Sequence, residues 1–211
     1  SYTYTEPTIF FEFAYETAKL AQAKGLKNVF VTNGYMTDEA LEMIQPYLDA
    51  ANVDLKAFNE RYYREVCGAK LSNVLQTLKQ MKARGVFLEV TTLIVPGLND
   101  DSGELEKLAQ FLVTDLGPET PWHISRFHPT YKLTDRPPTP LATLLKARDI
   151  GLKAGLRYVY TGNVPGEDGE NTLCYNCGRI VIERWGFQVR STALEEGRCR
   201  YCRAVIDGVG L

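Results

Sequence analysis

Four of the five cysteines in this 211-residue chain fall into two C-x-x-C pairs, Cys174/Cys177 and Cys199/Cys202, with 21 residues between them. Two such turns at this distance can present four thiolates as a tetrahedron, which suits zinc, a d¹⁰ ion with no ligand-field preference. Rubredoxin-like iron and an iron-sulfur cluster use the same ligand type and stand as the alternatives. A tail of about 40 residues buries too little apolar surface to fold unaided, so a metal would supply much of its folding free energy. Gly178 follows the first pair, whereas Arg203 follows the second and leaves that turn less regular. Cys67, alone in EVCGAK, reads as a small buried hydrophobe, with a reactive thiol as the alternative.

A second set of reactive types is scattered along the chain: Glu6, Asp54, Lys56 and His128. A carboxylate pair, an ammonium and an imidazole brought together can grip a zwitterion such as an amino acid. Each lies at or just beyond a predicted strand end. VFVTNG (29–34), NVDLK (52–56), EVTTLIVPG (89–97) and HISRFHP (123–129) all break off into polar clusters. This is the pattern of a parallel βα array, where residues at the carboxyl ends of the strands do the chemistry. Thr3-Tyr4-Thr5-Glu6-Pro7 reads as the end of one more strand, whose body lies outside the sequence.

Helical spacing links the runs. Residues 8–24 carry Phe10, Phe13, Ala14, Ala18 and Ala21, then Gly25; 71–81 carry Leu71, Val74, Leu75, Leu78 and Met81, then Gly85. Thr37 and Ser102 are the expected N-caps of two further helices, and 141–154 forms a last one stopped by Gly155. Leu156 to Tyr160 closes the array. GNVPGEDGEN (162–171) has the composition of an exposed linker. The expected organisation is therefore a partial barrel over 1–161, a linker over 162–171 and a metal-binding tail over 172–211.

Composition narrows the partners. With 24 basic and 26 acidic residues the net charge is -2, which gives no electrostatic footprint for nucleic acid or an anionic membrane. No apolar stretch approaches the roughly 20 residues of a membrane span, and the start lacks a signal-peptide pattern. The expected location is the cytoplasm.

At TYTEPT, VTNGY, NVDLKAF, VCGAK, TTLIVPGLND, SRFHP, DRPPTP and RYVYTGNVPG, and at both cysteine pairs, the chain resembles the radical S-adenosylmethionine (SAM) enzymes. Within them it is most similar to the AmmeMemoRadiSam-system group, relatives of the pyruvate formate-lyase activating enzymes. The resemblance implies an α/β fold, a partial (β/α) barrel incomplete at the amino terminus, with a small carboxyl-terminal zinc ribbon. It also implies a [4Fe-4S] cluster that reduces SAM to a 5′-deoxyadenosyl radical, which takes hydrogen from a substrate. By the same resemblance Glu6 holds the methionyl amine, with Tyr4 and Thr5 at the same strand end. Thr32, Asn33, Asp54 and Lys56 lie near SAM, and His128 lies near its adenosyl portion. The C-x-x-x-C-x-x-C cluster motif of the family is not among the five cysteines, so the cluster ligands are expected outside this chain. Val31 and Thr91 stand where the activating enzymes carry an aspartate and an arginine.

Two other readings compete. Arg184, Trp185, Arg190, Arg198, Arg200 and Arg203 give the tail a basic, aromatic character, which suits a zinc-ribbon binding module for a protein or RNA partner on a non-catalytic scaffold. A SAM-independent barrel enzyme is the third.

Overall fold

The computed structural model describes residues 1–164, 168–186 and 188–211. The middle of the expected linker, residues 165–167, and Phe187 of the expected metal-binding tail lie outside the described residues. Short runs rich in β-branched residues form five strands: β1 Val29–Thr32, β2 Ala50–Asp54, β3 Phe87–Ile94, β4 Trp122–Arg126 and β5 Val159–Gly162. They make one parallel sheet in sequence order. Parallel neighbours need crossover segments. These are the helices α2 Asp38–Ile44, α4 Leu71–Ala83, α5 Ser102–Phe111 and α6 Leu141–Ala154, with a short α3, Glu60–Tyr62, after β2. The sequence pattern had indicated four complete strands; the fifth is the segment at 156–160, displaced to Val159–Gly162. At the other edge Tyr2 pairs in parallel with Phe30.

Strand parity sorts the two faces. Phe30, Val53, Val90, Ile94, Trp122 and Ile124 are fully buried against Leu78, Met81, Leu108 and Leu144 of the helices. Each such side chain contributes about 1.5–3 kcal/mol of burial. Helix α6 lies so close that a Cβ at Gly151 would meet Trp122 Cε3 at 2.8 Å and Val159 Cγ2 at 3.0 Å. The alternate positions, Asn52, Asp54, Glu89, Thr91, His123, Ser125 and Tyr160, share the opposite, concave face, where they are only partly buried.

Local signals shape the helix ends. Thr37 caps α2, accepting from Ala40 N at 3.2 Å. For α5 the cap is Asp101, which accepts from Glu104 N at 3.0 Å, and Ser102 is the first helical residue instead. A carboxylate one position earlier complements the helix dipole better than a hydroxyl. Helix α1 is Phe11–Ala23 and buries Ala14 and Ala18, while Phe13, one position off that stripe, is 71% exposed.

The tail is antiparallel. β6 Thr172–Leu173, β7 Ile180–Trp185 and β8 Gln188–Thr192 form a three-stranded sheet, and β9 Leu194–Glu195 pairs with β10 Arg198–Cys199. A small core of Tyr158, Cys174, Val181, Cys199 and Ile206 joins it to the end of the parallel sheet. Asp207 accepts from Arg157 Nη1 at 2.8 Å and from the Tyr158 hydroxyl at 2.9 Å. No described helix is long and apolar enough to cross a membrane.

Candidate functional site

Glu6 is drawn onto the carboxyl end of β1. Its Oε1 accepts from Thr32 Oγ1 at 2.5 Å and from Thr8 Oγ1 at 3.2 Å, and its Oε2 accepts from Asn33 N at 2.7 Å. The chain can turn there because Gly34 has φ +72° and packs against Val53 and Val74, where a Cβ would clash at 2.7 Å. Thr32 is buried, and its hydroxyl oxygen also accepts from Gly34 N at 3.1 Å. Thr8 N also donates to Oε1 at 3.4 Å, so the result is a fixed carboxylate at a strand end whose remaining lone-pair capacity is on Oε2.

One strand over, Lys56 Nζ lies 2.8 Å from Asp54 Oδ2, both about one-third exposed. Asn99 sets this strand end. Its Nδ2 donates to Lys56 O at 2.6 Å and to Leu93 O at 2.8 Å, and its Oδ1 accepts from Val95 N at 2.6 Å. Asn33, Asp54 and Lys56 line a cavity of about 360 Å³ together with Tyr62, Tyr63 and Cys67. Burial pushes the Tyr62 hydroxyl up to about 12 and the Tyr63 hydroxyl higher still, so both stay neutral. Burial also raises the Cys67 thiol, which disfavours the thiolate that a reactive cysteine needs.

Thr32, Asn33 and Glu6 are thus joined by hydrogen bonds, and Asn33 shares a cavity with Asp54 and Lys56. Three expected site residues stand apart from them. Tyr4 adopts φ +57° and is 99% exposed; Thr5 is exposed beside it. His128 is exposed beyond β4, with no side-chain hydrogen bond among the described residues.

Sequence reasoning passed over the concave face. Asp54, Thr91, His123 and Tyr160 lie level across four strands, with Asn52 and Glu89 level below them. Thr91 Oγ1 donates to Asn52 Oδ1 at 2.7 Å, Glu89 Oε2 lies 2.9 Å from His123 Nε2, and the imidazole stacks on Tyr160 with centroids 5.0 Å apart. The hydrogen bond from His123 holds the Glu89 carboxyl below its usual range against the opposing effect of burial. Arg184, from the tail, donates to Thr172 Oγ1 at 2.6 Å and faces a cavity of about 410 Å³ with Glu89, His123, Tyr160 and Glu170. The one signal in the sequence was the alternation Glu89, Thr91, Leu93 against Leu88, Val90, Thr92.

The four tail cysteines converge, their sulfurs all within 4.8 Å of one another. Cys174 and Cys202 are 3.5 Å apart and Cys177 and Cys199 3.8 Å, close to the edge of about 3.8 Å that a zinc tetrathiolate with 2.3 Å bonds requires. This donor set fits a tetrahedral metal. Gly178 and Arg203 play the same part in the two turns, at φ +72° and +64°, each donating its N–H to the carbonyl of the pair's first cysteine at 2.8 Å. The left-handed conformation costs a non-glycine residue about 1 kcal/mol, and an ion pair with Glu195 at 2.7 Å holds Arg203 there. Arg200 also pairs with Glu195, and Arg190 lies over the Trp185 ring, so much of the tail's basic character is engaged internally.

Residues 1–112 match the family model described as the radical SAM superfamily. An uncharacterized protein of Methanocaldococcus jannaschii is 49% identical over 209 residues, covering 98% of this chain and 62% of that protein. The chain therefore spans less than two thirds of that relative. A domain of pyruvate-formate lyase-activating enzyme from Bacteroides vulgatus has the same fold, with a TM-score of 0.66 at 15% identity over 77% of this chain and 97% of that domain. SuiB of Streptococcus suis, solved with S-adenosylmethionine bound, gives a TM-score of 0.60 at 13% identity over 75% of this chain and 38% of its own. The matched segment runs from the Glu6 strand end through β3 and α5 and is more than half of the sequence: the chain belongs to the radical SAM superfamily.

Proposed function

We propose that the protein is a radical SAM enzyme of the pyruvate formate-lyase activating type, in the AmmeMemoRadiSam group, which cleaves SAM reductively to abstract hydrogen from a substrate. The observation that carries the reading is the Glu6 carboxylate, fixed by Thr32 and Asn33 at one strand end beside the Asp54–Lys56 pair at the next. The methionyl group of SAM has an ammonium and a carboxylate. Glu6 is assigned to the first and Lys56 to the second, with charge-assisted hydrogen bonds in both cases. The resemblance assigns Tyr4 and Thr5 to the strand end of Glu6, Asp54 to the next, and His128 to the adenosyl side, although Tyr4, Thr5 and His128 stand exposed in this structure. The protein's part is positioning and electrostatics; the radical chemistry is that of a [4Fe-4S] cluster. Cys67 is the one barrel cysteine, which does not fit a cluster, so the ligands are assigned to residues outside this sequence.

In this proposal residues 1–161 form the partial barrel, 162–171 the linker and 172–211 a structural zinc ribbon. The five cysteines are free, in keeping with a cytoplasmic enzyme. The test uses the full-length protein, reconstituted anaerobically with iron and sulfide and given SAM and a reductant. Release of 5′-deoxyadenosine is expected, and its absence from a protein with an intact cluster would remove the activity.

A further inference from the structure

The concave face holds a pair of groups that the handling of SAM leaves unused. Glu89 and His123 meet at 2.9 Å through Oε2 and Nε2, on strands next to each other in the sheet. A carboxylate oxygen only accepts, so Nε2 must carry the proton. In the neutral ring Nδ1 is then a bare lone pair. Among the described residues Nδ1 has no hydrogen-bond partner, and His123 lines the cavity of about 410 Å³. Tyr160 fixes the plane of the ring by stacking at 21°.

Two features mark this as a prepared site. Asn52 stands level with Glu89 on the neighbouring strand, and Thr91 Oγ1 donates to its Oδ1 at 2.7 Å. Thr161 also lines the cavity; its hydroxyl is buried with no hydrogen-bond partner among the described residues, and Gly169 lies so close that a Cβ there would overlap the Oγ1. The charged and titratable groups facing His123 are Glu89 from β3, Tyr160 from β5, Arg184 from β7 and Glu170. A cavity of about 410 Å³ with such walls takes a small polar ligand.

We infer that His123, oriented by Glu89, is an acid–base residue facing a second site, where a small polar ligand presents an O–H or N–H group to Nδ1. This rests on the reading of the chain as a radical enzyme only in making that ligand its substrate. In the forward step the Nδ1 lone pair takes the proton, and the ligand's O–H or N–H bond breaks with its electron pair left on the ligand. The imidazolium so formed lies against the Glu89 carboxylate, and its proton passes to water through the cavity. The arrangement is that of a base oriented by a carboxylate, with the ligand in place of a nucleophilic side chain.

The experiment uses the protein labelled with ¹⁵N-histidine, with resonances assigned through H123N and H128Q. Long-range ¹H–¹⁵N spectra are expected to show His123 with its proton on Nε2 and a bare Nδ1. E89Q, whose amide oxygen still accepts, should keep that tautomer, while E89L should mix the two. Diethyl pyrocarbonate is the probe of access, and peptide mass mapping should find one acyl group on His123 in the folded protein. A proton on Nδ1, an unchanged tautomer in E89L, or acylation of His123 only after denaturation would each overturn the assignment. In the reconstituted enzyme H123N should leave substrate-free release of 5′-deoxyadenosine within about twofold of the parent. A loss of tenfold or more would move His123 into the handling of SAM and overturn its separate role. Absence of 5′-deoxyadenosine from the parent itself would instead remove the radical activity and leave the acid–base site standing on its spectra.

Discussion

Glu6 reaches 26 residues along the chain to accept the hydroxyl proton of Thr32 at 2.5 Å, and the same carboxylate takes the N–H of Asn33. The contact fastens the amino-terminal segment to the end of β1 on the functional side of the sheet. Replacing Glu6 by Gln turns charge-assisted bonds into neutral ones, which is expected to cost about 1–2 kcal/mol in urea denaturation. Thr32→Val should cost a similar amount, since it leaves Gly34 N without its acceptor. A double mutant less destabilised than the sum of the two would confirm that they share one interaction.

Asn99 is almost wholly buried and ties three backbone groups from two strand ends. Asn99→Ala strands all three and should destabilise the fold by about 3 kcal/mol. Amide exchange should quicken first at Val95, which loses its acceptor.

Removal of one thiolate tests the tail. Cys177→Ala is expected to lower bound metal from about one equivalent to near zero by elemental analysis, since three ligands leave the tetrahedron open. Limited proteolysis should then cut within 172–211 while the parallel sheet stays protected. A brown protein rich in iron would replace zinc with iron at these four sulfurs.

Glu89 predicts the acid limb of stability. Its carboxyl is held below the ordinary value of 4.5 in the folded state, so its contribution is complete above that value and is lost as pH falls through the lower, folded one. Thermal melts should therefore fall off below about pH 4.5, and E89Q should make that limb shallower while lowering the plateau. Equal acid limbs in the two proteins would show that Glu89 is not linked to folding.

The parallel sheet was legible because β1 to β4 are apolar runs with turn residues at fixed places, and Gly25, Gly85 and Gly155 end helices where their φ values of +74°, +79° and +111° require glycine. The cysteine spacing likewise told of a tetrahedral site. What the sequence withheld depends on register. Glu89 meets His123 only because Thr91 pairs with His123 across β3 and β4, an alignment set by the crossover through α5 rather than by either strand alone. His128 had drawn notice for its strand-end place, yet it is His123, within the strand, that has a carboxylate partner. Phe13 misled for a simpler reason: apolar type does not say which side of a helix is inward when Ala14 and Ala18 are its buried residues.

The second cavity is lined by Arg184 of the tail and Glu170 of the segment before it, together with Glu89 and His123 of the sheet. The tail that carries Arg184 also holds the four converging sulfurs, and Asp207 latches it to Arg157 and Tyr158. Metal binding at those sulfurs would thus be linked to the second cavity: a chelator that loosens the tail should move Arg184 away from Glu89 and His123.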